Sequence, residues 1–182
     1  MNFLFNIDTS ILMFIREHLT NAFLDALMPI VTLLAEGGIV PIILSLALIL
    51  NKKTRKIGLK SALALAVGFI IVNLIIKPLV GRIRPYDALY GIELLVSAKH
   101  DFSFPSGHTL AAFELAGVIA FNCGKKYAYC AVIIACLVAF SRLYLFMHYP
   151  TDVIVGALLG LCFAYLSDFA VDTAYDRKKK HT

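Results

Sequence analysis

Hydrophobic positions gather into six low-charge runs, at 20–35, 39–50, 58–76, 106–122, 127–144 and 151–168. A membrane-spanning helix needs about 20 apolar residues, so the third, fifth and sixth runs are long enough and the first two are short. Proline and glycine at Met28-Pro29 and Glu36-Gly37-Gly38 interrupt those two, and membrane helices tolerate both residues. Six transmembrane helices are therefore expected. Ahead of them, Ile7–Leu19 reads as a short amphipathic helix lying at the membrane interface. Residues 1–19 are not a secretory signal, because a basic n-region is missing and Asp8, Arg16, Glu17 and His18 break the apolar run. The pattern predicts an all-α, polytopic helix bundle forming one domain over 1–182.

Composition agrees with the pattern. The 182 residues are 60% hydrophobic and 16% charged, with mean hydropathy +0.82, whereas soluble domains carry about 25% charged residues. Charge placement adds an orientation. Twelve of the 17 Lys/Arg (Arg16, Lys52, Lys53, Arg55, Lys56, Lys60, Lys125, Lys126 and Arg177 to Lys180) fall on one side, which the positive-inside rule makes cytoplasmic. Both termini are expected inside. Lys77, Arg82, Arg84, Lys99 and Arg142 are left for the outer side. The pI near 9.0 reflects flanking charge, and no basic face with interleaved aromatics points to nucleic acid. Cys123, Cys130, Cys136 and Cys162 lack C-x-x-C spacing and read as buried small hydrophobes. The sequence contains no metal-ligand cluster and no Gly-rich nucleotide loop, so no metal and no cofactor are expected.

The outward segments carry the chemistry. Ser141–Asp152 should be a plain turn between two spans, yet it holds Arg142, His148 and Asp152. With Pro150 in the first turn of the next helix, His148 and Asp152 face each other four residues apart. A carboxylate on one imidazole nitrogen leaves the other free as base or nucleophile. The stretch Lys77 to Pro85 puts Lys77, Arg82 and Arg84 within eight residues, an anion clamp of guanidinium forks and a mobile ammonium. Phe104 to Thr109 opens the fourth span with Pro105, Ser106 and Gly107, whose free backbone N–H groups suit phosphate oxygens, with His108 behind. Ser106 does not match a nucleophile elbow. The Asn51–Lys60 linker reads as a solvated cytoplasmic loop, and Glu36 as an interfacial acid beside a glycine turn, with a place facing the site from across the bundle as the alternative. His100 and Asp101 read as surface polar residues, and Leu94–Val96 as a patch dipping into the headgroups as a lid. Asn73 and Glu114 are polar oddities within spans, where such residues often mark function; for Glu114 a structural hydrogen bond is at least as good a reading.

Together, Lys77-x6-Arg84-Pro85, Pro105-Ser106-Gly107-His108 and Ser141-Arg142-x5-His148-x3-Asp152 resemble the three-part signature of the type 2 phosphatidic acid phosphatase family. The motif region covers 77–152, with no departure at a motif position. The resemblance implies a metal-independent phosphohydrolase working through a phosphohistidine. His148 would attack phosphorus, Asp152 would orient it and His108 would protonate the leaving oxygen. Lys77, Arg84, Arg142, Ser106 and Gly107 would hold the phosphoryl oxygens. The implied substrate is a membrane lipid phosphate, foremost undecaprenyl diphosphate, with phosphatidylglycerophosphate or phosphatidate as the alternative. A non-enzymatic anion transporter is the remoter reading. Oligomeric state is left open.

Overall fold

The computed structural model describes residues 3–180; Met1, Asn2, His181 and Thr182, which belong to the termini expected inside, lie outside it. Its elements are α1 (Phe3–Leu19), α2 (Ala22–Leu33), a 3-10 turn (Glu36–Gly38), α3 (Ile39–Leu50) and α4 (Arg55–Gly68). α4 runs on through a π-helical stretch (Phe69–Ile76) into α5 (Lys77–Val80). After the one-turn α6 (Pro85–Ala88) come α7 (Gly107–Asn122), α8 (Lys125–Tyr144) and α9 (Pro150–Lys180). No strand occurs among the described residues.

Among the described residues, four stretches are long and apolar enough to cross a membrane: Ala22–Leu50, Arg55–Ala88, Lys125–Tyr144 and Pro150–Lys179. Every one of the six expected runs is helical, but the first two fall in one 29-residue stretch. Two left-handed glycines, Gly37 (φ +57°) and Gly38 (φ +70°), kink that stretch, a conformation glycine adopts without a Cβ penalty. Beyond the kink the halves take different partners, α2 packing on α8 and α3 on α4. α7, at 16 residues, is about 24 Å long. It is nonetheless the central helix, enclosed by α4, α8 and α9.

α7 and α9 pack closest, because glycines let their backbones meet. A Cβ at Gly156 would sit 2.7 Å from the Ser106 carbonyl oxygen, and one at Gly160 2.7 Å from that of Leu110. Small residues at a crossing are how membrane helices gain contact where lipid offers no hydrophobic drive. Outward, the bundle is apolar: Ile43, Leu74, Ile133, Leu158 and Tyr165 are all more than 45% exposed. An apolar surface on that scale is a lipid-facing belt. Cys130, Cys136 and Cys162 are exposed beside it, contrary to the expectation of buried cysteines.

The two ends of the bundle differ. At one, Lys60 is buried and pairs with Asp168 (2.7 Å) and Asp172 (2.6 Å), so it belongs to α4 and not to a solvated linker. At the other lie the buried side chains of Lys77, Arg84, Ser103, Arg142, His148 and Asp152. α1 lies across this second end. It is helical from Phe3, earlier than the expected Ile7, and it buries Leu12 and Ile15 against the α8–α9 turn. Arg16 donates to the Gly91 carbonyl at 2.8 Å, so it stands with the motif residues and not with Lys52–Lys60. α9 meanwhile carries Arg177–Lys179 to the opposite end. The expectation that the N-terminal helix and the C-terminal residues share one side is corrected accordingly.

Candidate active site

The turn from α8 to α9 is built to present one imidazole. α8 ends at Tyr144, and Phe146 takes a left-handed φ of +54°, a strained conformation for a bulky residue. Burial of Phe146 against Leu12 and Tyr149 offsets that strain. The Arg142 carbonyl accepts from the N–H groups of Met147 (3.1 Å) and His148 (3.2 Å), fixing the backbone on which His148 sits. Pro150 is the first residue of α9, as expected. Asp152 reaches back to accept from the Tyr149 N–H at 2.9 Å, the reciprocal half of a capping box.

His148 is 1% exposed. Its Nδ1 lies 2.7 Å from the Ser103 carbonyl oxygen; a carbonyl only accepts, so Nδ1 carries the proton. Arg84 Nη1, which only donates, lies 3.1 Å from Nε2. The lone pair therefore resides on Nε2. Asp152 Oδ2 is 3.6 Å from Nδ1, and it accepts a short hydrogen bond from the Ser103 hydroxyl. Sequence spacing puts Asp152 directly on the imidazole; in the fold the backbone carbonyl of Ser103 is the hydrogen-bond acceptor and Asp152 braces the assembly. Burial, then the charges of Arg84, Arg142 and Lys77, hold the His148 pKa well below the ordinary histidine value. The imidazole is neutral at pH 7.

Three buried cations surround it. Arg84 donates to the Met147 carbonyl (2.8 Å) and, through Nη2, to Asp101 Oδ1 (2.6 Å). Lys77 donates to the other Asp101 oxygen. Arg142 gives one N–H to Thr32 Oγ1, while its Nε and Nη2 are buried without a hydrogen-bond partner. An unpaired buried guanidinium edge is costly, and an anion is the group that would relieve it. Burial raises the Asp101 pKa, but the Lys77 ammonium and the Arg84 guanidinium outweigh it and hold the carboxyl below the usual range. Asp101, expected at the surface, thus occupies the seat between two cations where an anion would sit.

Across the cavity, His108 stands in the first turn of α7, with Nε2 3.1 Å from Glu36 Oε2. Glu36 also accepts from Lys99 at 2.5 Å, so it faces the site and is not a mere interfacial acid. Ser106 is the N-cap of α7: its Oγ accepts from Thr109 N (3.4 Å) and Thr109 Oγ1 (3.0 Å). Gly107 lines the cavity, and a Cβ there would lie 3.9 Å from Lys77 Nζ. The cavity, 640 Å³, begins among Lys77, Arg84, His108 and His148 and continues between α3, α4 and α7. π-helical hydrogen bonding widens the turn, so Leu65, Phe69, Asn73 and Lys77 all reach its wall at four-residue steps. Glu114 lines it deeper down with Oε1 buried and unpaired; the structural hydrogen bond considered for it is absent among the described residues.

The fold thus draws all three motif segments to one end, but it assigns Arg82 elsewhere. Arg82 turns from the clamp to bridge Asp8 (2.6 Å) and Asp152 (2.6 Å). Within the long loop, Tyr86 Oη donates to the Lys99 carbonyl at 2.7 Å, and Leu94 and Val96 pack against the cluster of Ile15, Met28 and Tyr144 while Leu95 stays exposed. His100 is exposed, as expected. Sequence reasoning missed Asp8 and Ser103, and it ranked a site role for Glu36 and Asp101 below the interfacial and surface readings. For the three acids a signal existed, since each is a carboxylate near or within apolar sequence; for Ser103 there was none. Among the described residues no three His, Cys, Asp or Glu side chains cluster as metal ligands would.

Comparison with known proteins gives the same picture. The chain matches the PAP2 superfamily over residues 57–174. It is 33% identical over 120 residues to an undecaprenyl-diphosphatase of Sulfolobus acidocaldarius, covering 66% of this chain but only 58% of that protein. It is 30% identical over 152 residues to the undecaprenyl-diphosphatase BcrC of Bacillus subtilis, covering 81% and 77%. Among solved structures, Aquifex aeolicus LpxE superposes with a TM-score of 0.77 at 25% identity, over 88% of this chain and 94% of that one. A transmembrane PAP2-type phosphatidylglycerolphosphate phosphatase from Bacillus subtilis also gives 0.77, at 28% identity over 98% and 88%. With three sequence motifs gathered on one buried histidine and the match running through most of the chain, this chain belongs to the PAP2 superfamily.

Proposed function

We propose that the chain is a membrane phosphohydrolase that removes the terminal phosphate of a lipid phosphate or diphosphate through a phosphohistidine on His148. The observation that carries this is the placement of His148: Nδ1 donates to the Ser103 carbonyl, and Nε2 is turned toward Arg84 at the mouth of the cavity. Nε2 attacks phosphorus as the bond to the leaving oxygen breaks, and His108 gives that oxygen its proton. Water then attacks the phosphohistidine while His108 takes the water's proton; the P–N bond breaks and inorganic phosphate leaves. Phosphoryl transfer spreads charge over the equatorial oxygens. Lys77 and Arg84, displaced from Asp101 when the phosphate enters, and Arg142, whose Nε and Nη2 have no hydrogen-bond partner, supply fixed positive charge for it. Gly107 allows the close approach, and the N-terminus of α7 capped by Ser106 adds its dipole. Asp152 braces the nucleophile arm.

Undecaprenyl diphosphate is the first substrate to test, because the relatives in Sulfolobus and Bacillus bear that activity in their names. Phosphatidylglycerophosphate comes second, favoured by the Bacillus structure that covers 98% of this chain. An anion transporter fits less well, since transporters bind near the midplane on broken helices and these charges sit at one end.

In the proposed orientation the site end faces outward and the Lys52–Lys60 end faces the cytoplasm. Moving Arg16 to the site end leaves the Lys/Arg bias at eleven against six, the same sign as before. The C-terminal end of α9 is then cytoplasmic, and α1 lies at the outer interface. The test is phosphate release by purified protein from undecaprenyl diphosphate, phosphatidylglycerophosphate, phosphatidate and a soluble phosphoester. Turnover confined to lipid phosphates supports the reading; none on any of them, or equal turnover of the soluble ester, defeats it.

A further inference from the structure

Asp8 is a carboxylate with no exposed surface, carried by a helix whose outer residues Phe3, Leu4, Ile7, Ile11 and Phe14 are apolar. Nothing in the three motif segments calls for it. Its side-chain partners are Thr151 at the start of α9 and Arg82. Oδ1 accepts from the Thr151 N–H at 2.9 Å, and Oδ2 accepts from Thr151 Oγ1 and from Arg82 Nη2, both at 2.6 Å. Thr151 is the second residue of α9, and its N–H is one of the groups a helix N-terminus leaves without an internal partner. Asp8 therefore caps α9 from another helix. Arg82 closes the chain of contacts. Its Nη1 donates to Asp152 Oδ1 (2.6 Å) and Thr151 Oγ1 (2.7 Å), and its guanidinium lies 3.9 Å from the centre of the Tyr149 ring. Asp152 in turn holds the Tyr149 N–H and the Ser103 hydroxyl, and Ser103 holds His148.

We infer that Asp8 and Arg82 are positioning residues for the phosphoryl-transfer step: α1 locks the first turn of α9, and through Asp152 and Ser103 it fixes the imidazole of His148. This rests on the proposed phosphohistidine reaction. Neither residue touches the cavity, so the pair acts on the rate of the chemical step and not on the binding of lipid. A nucleophile moved by about 1 Å loses on the order of a hundredfold in rate.

The experiment measures kcat and KM on the best lipid phosphate for wild type, Asp8→Ala, Asp8→Asn, Arg82→Met, the Asp8→Ala/Arg82→Met double variant and His148→Ala. Glu17→Gln, an exposed charge on the same helix, serves as control. Folding is checked by size exclusion and thermal unfolding in detergent. Asp8→Ala is expected to lower kcat by roughly ten- to a hundredfold with KM within about twofold. Asp8→Asn, which keeps an acceptor for Thr151 N–H, recovers part of the loss, and Glu17→Gln stays near wild type. The double variant is expected to be little worse than Arg82→Met alone, since partners in one network are not additive. If Asp8→Ala does not fold, Asp8→Asn and Arg82→Met carry the same split. An inactive His148→Ala beside folded Asp8 and Arg82 variants of wild-type kcat, or with only KM raised, overturns the inference. A fully active His148→Ala overturns the phosphohistidine reading instead.

Discussion

At the residue scale, the behaviour of His148 follows from two things that no linear spacing reveals. The Ser103 carbonyl selects its tautomer, and burial beside three cations keeps it neutral. The sign of the pH effect follows. A histidine whose folded pKa is depressed binds fewer protons folded than unfolded, so its contribution to stability is full above the ordinary value of about 6.5 and is lost as pH falls below it. The nucleophile likewise stays unprotonated into the acid range. Histidine ring NMR is therefore expected to show His148 still neutral at about pH 6; a midpoint at or above the ordinary value contradicts the assignment. Asp101 gives a second prediction. Its carboxylate occupies Lys77 and Arg84, so Asp101→Asn should tighten inhibition by inorganic phosphate several-fold, roughly the worth of one exposed charge. Weaker inhibition would make Asp101 an organiser of the cations and not their placeholder. His148, Asp152, Lys77, Arg84 and Arg142 were legible because a charged residue beside a span needs a reason. Asp101 and Glu36 were misjudged because a lone acid near an interface has an ordinary one.

At the element scale, the site stands on two helix N-termini brought together. α7 delivers Gly107 and His108, α9 delivers Asp152, and the Ser106 N–H donates to the Asp152 carbonyl at 3.1 Å. That approach exists because Gly156 leaves room under Ser106. Gly156→Val should force the helices apart, lower stability by about 1–3 kcal/mol and reduce turnover with it, read by thermal unfolding in detergent; an unchanged melting temperature would show that the crossing tolerates a side chain. The starts of the six helical runs were readable from hydrophobicity to within about three residues, although α9 runs on to Lys180, well past its apolar stretch. Their partners were not. A helix facing lipid on one side and protein on the other is apolar all round, so periodicity could not say that α2 joins α8 while α3 joins α4.

At the scale of the whole molecule, the bundle is polarised. One end carries Lys60 with Asp168 and Asp172, and the other carries the candidate site under α1. Basic flanks set the expected orientation, but Arg16 was counted with the wrong end of the bundle, because its partner is a backbone carbonyl 75 residues away in the loop. Membrane-impermeant thiol labelling in a cysteine-free background should reach a cysteine at Lys99 or Arg16 from outside and one at Lys125 only after permeabilisation. The reverse pattern would invert the bundle.

The central claim is a covalent bond between phosphorus and His148 Nε2. Rapid acid-free quenching of the protein with a lipid substrate labelled in its terminal phosphate tests it most directly. An acid-labile, base-stable phosphoenzyme should form in wild type, accumulate in His108→Ala with a good leaving group, and be absent in His148→Ala. Labelled phosphate released at wild-type rate by His148→Ala, or a phosphoenzyme surviving in that variant, would contradict it.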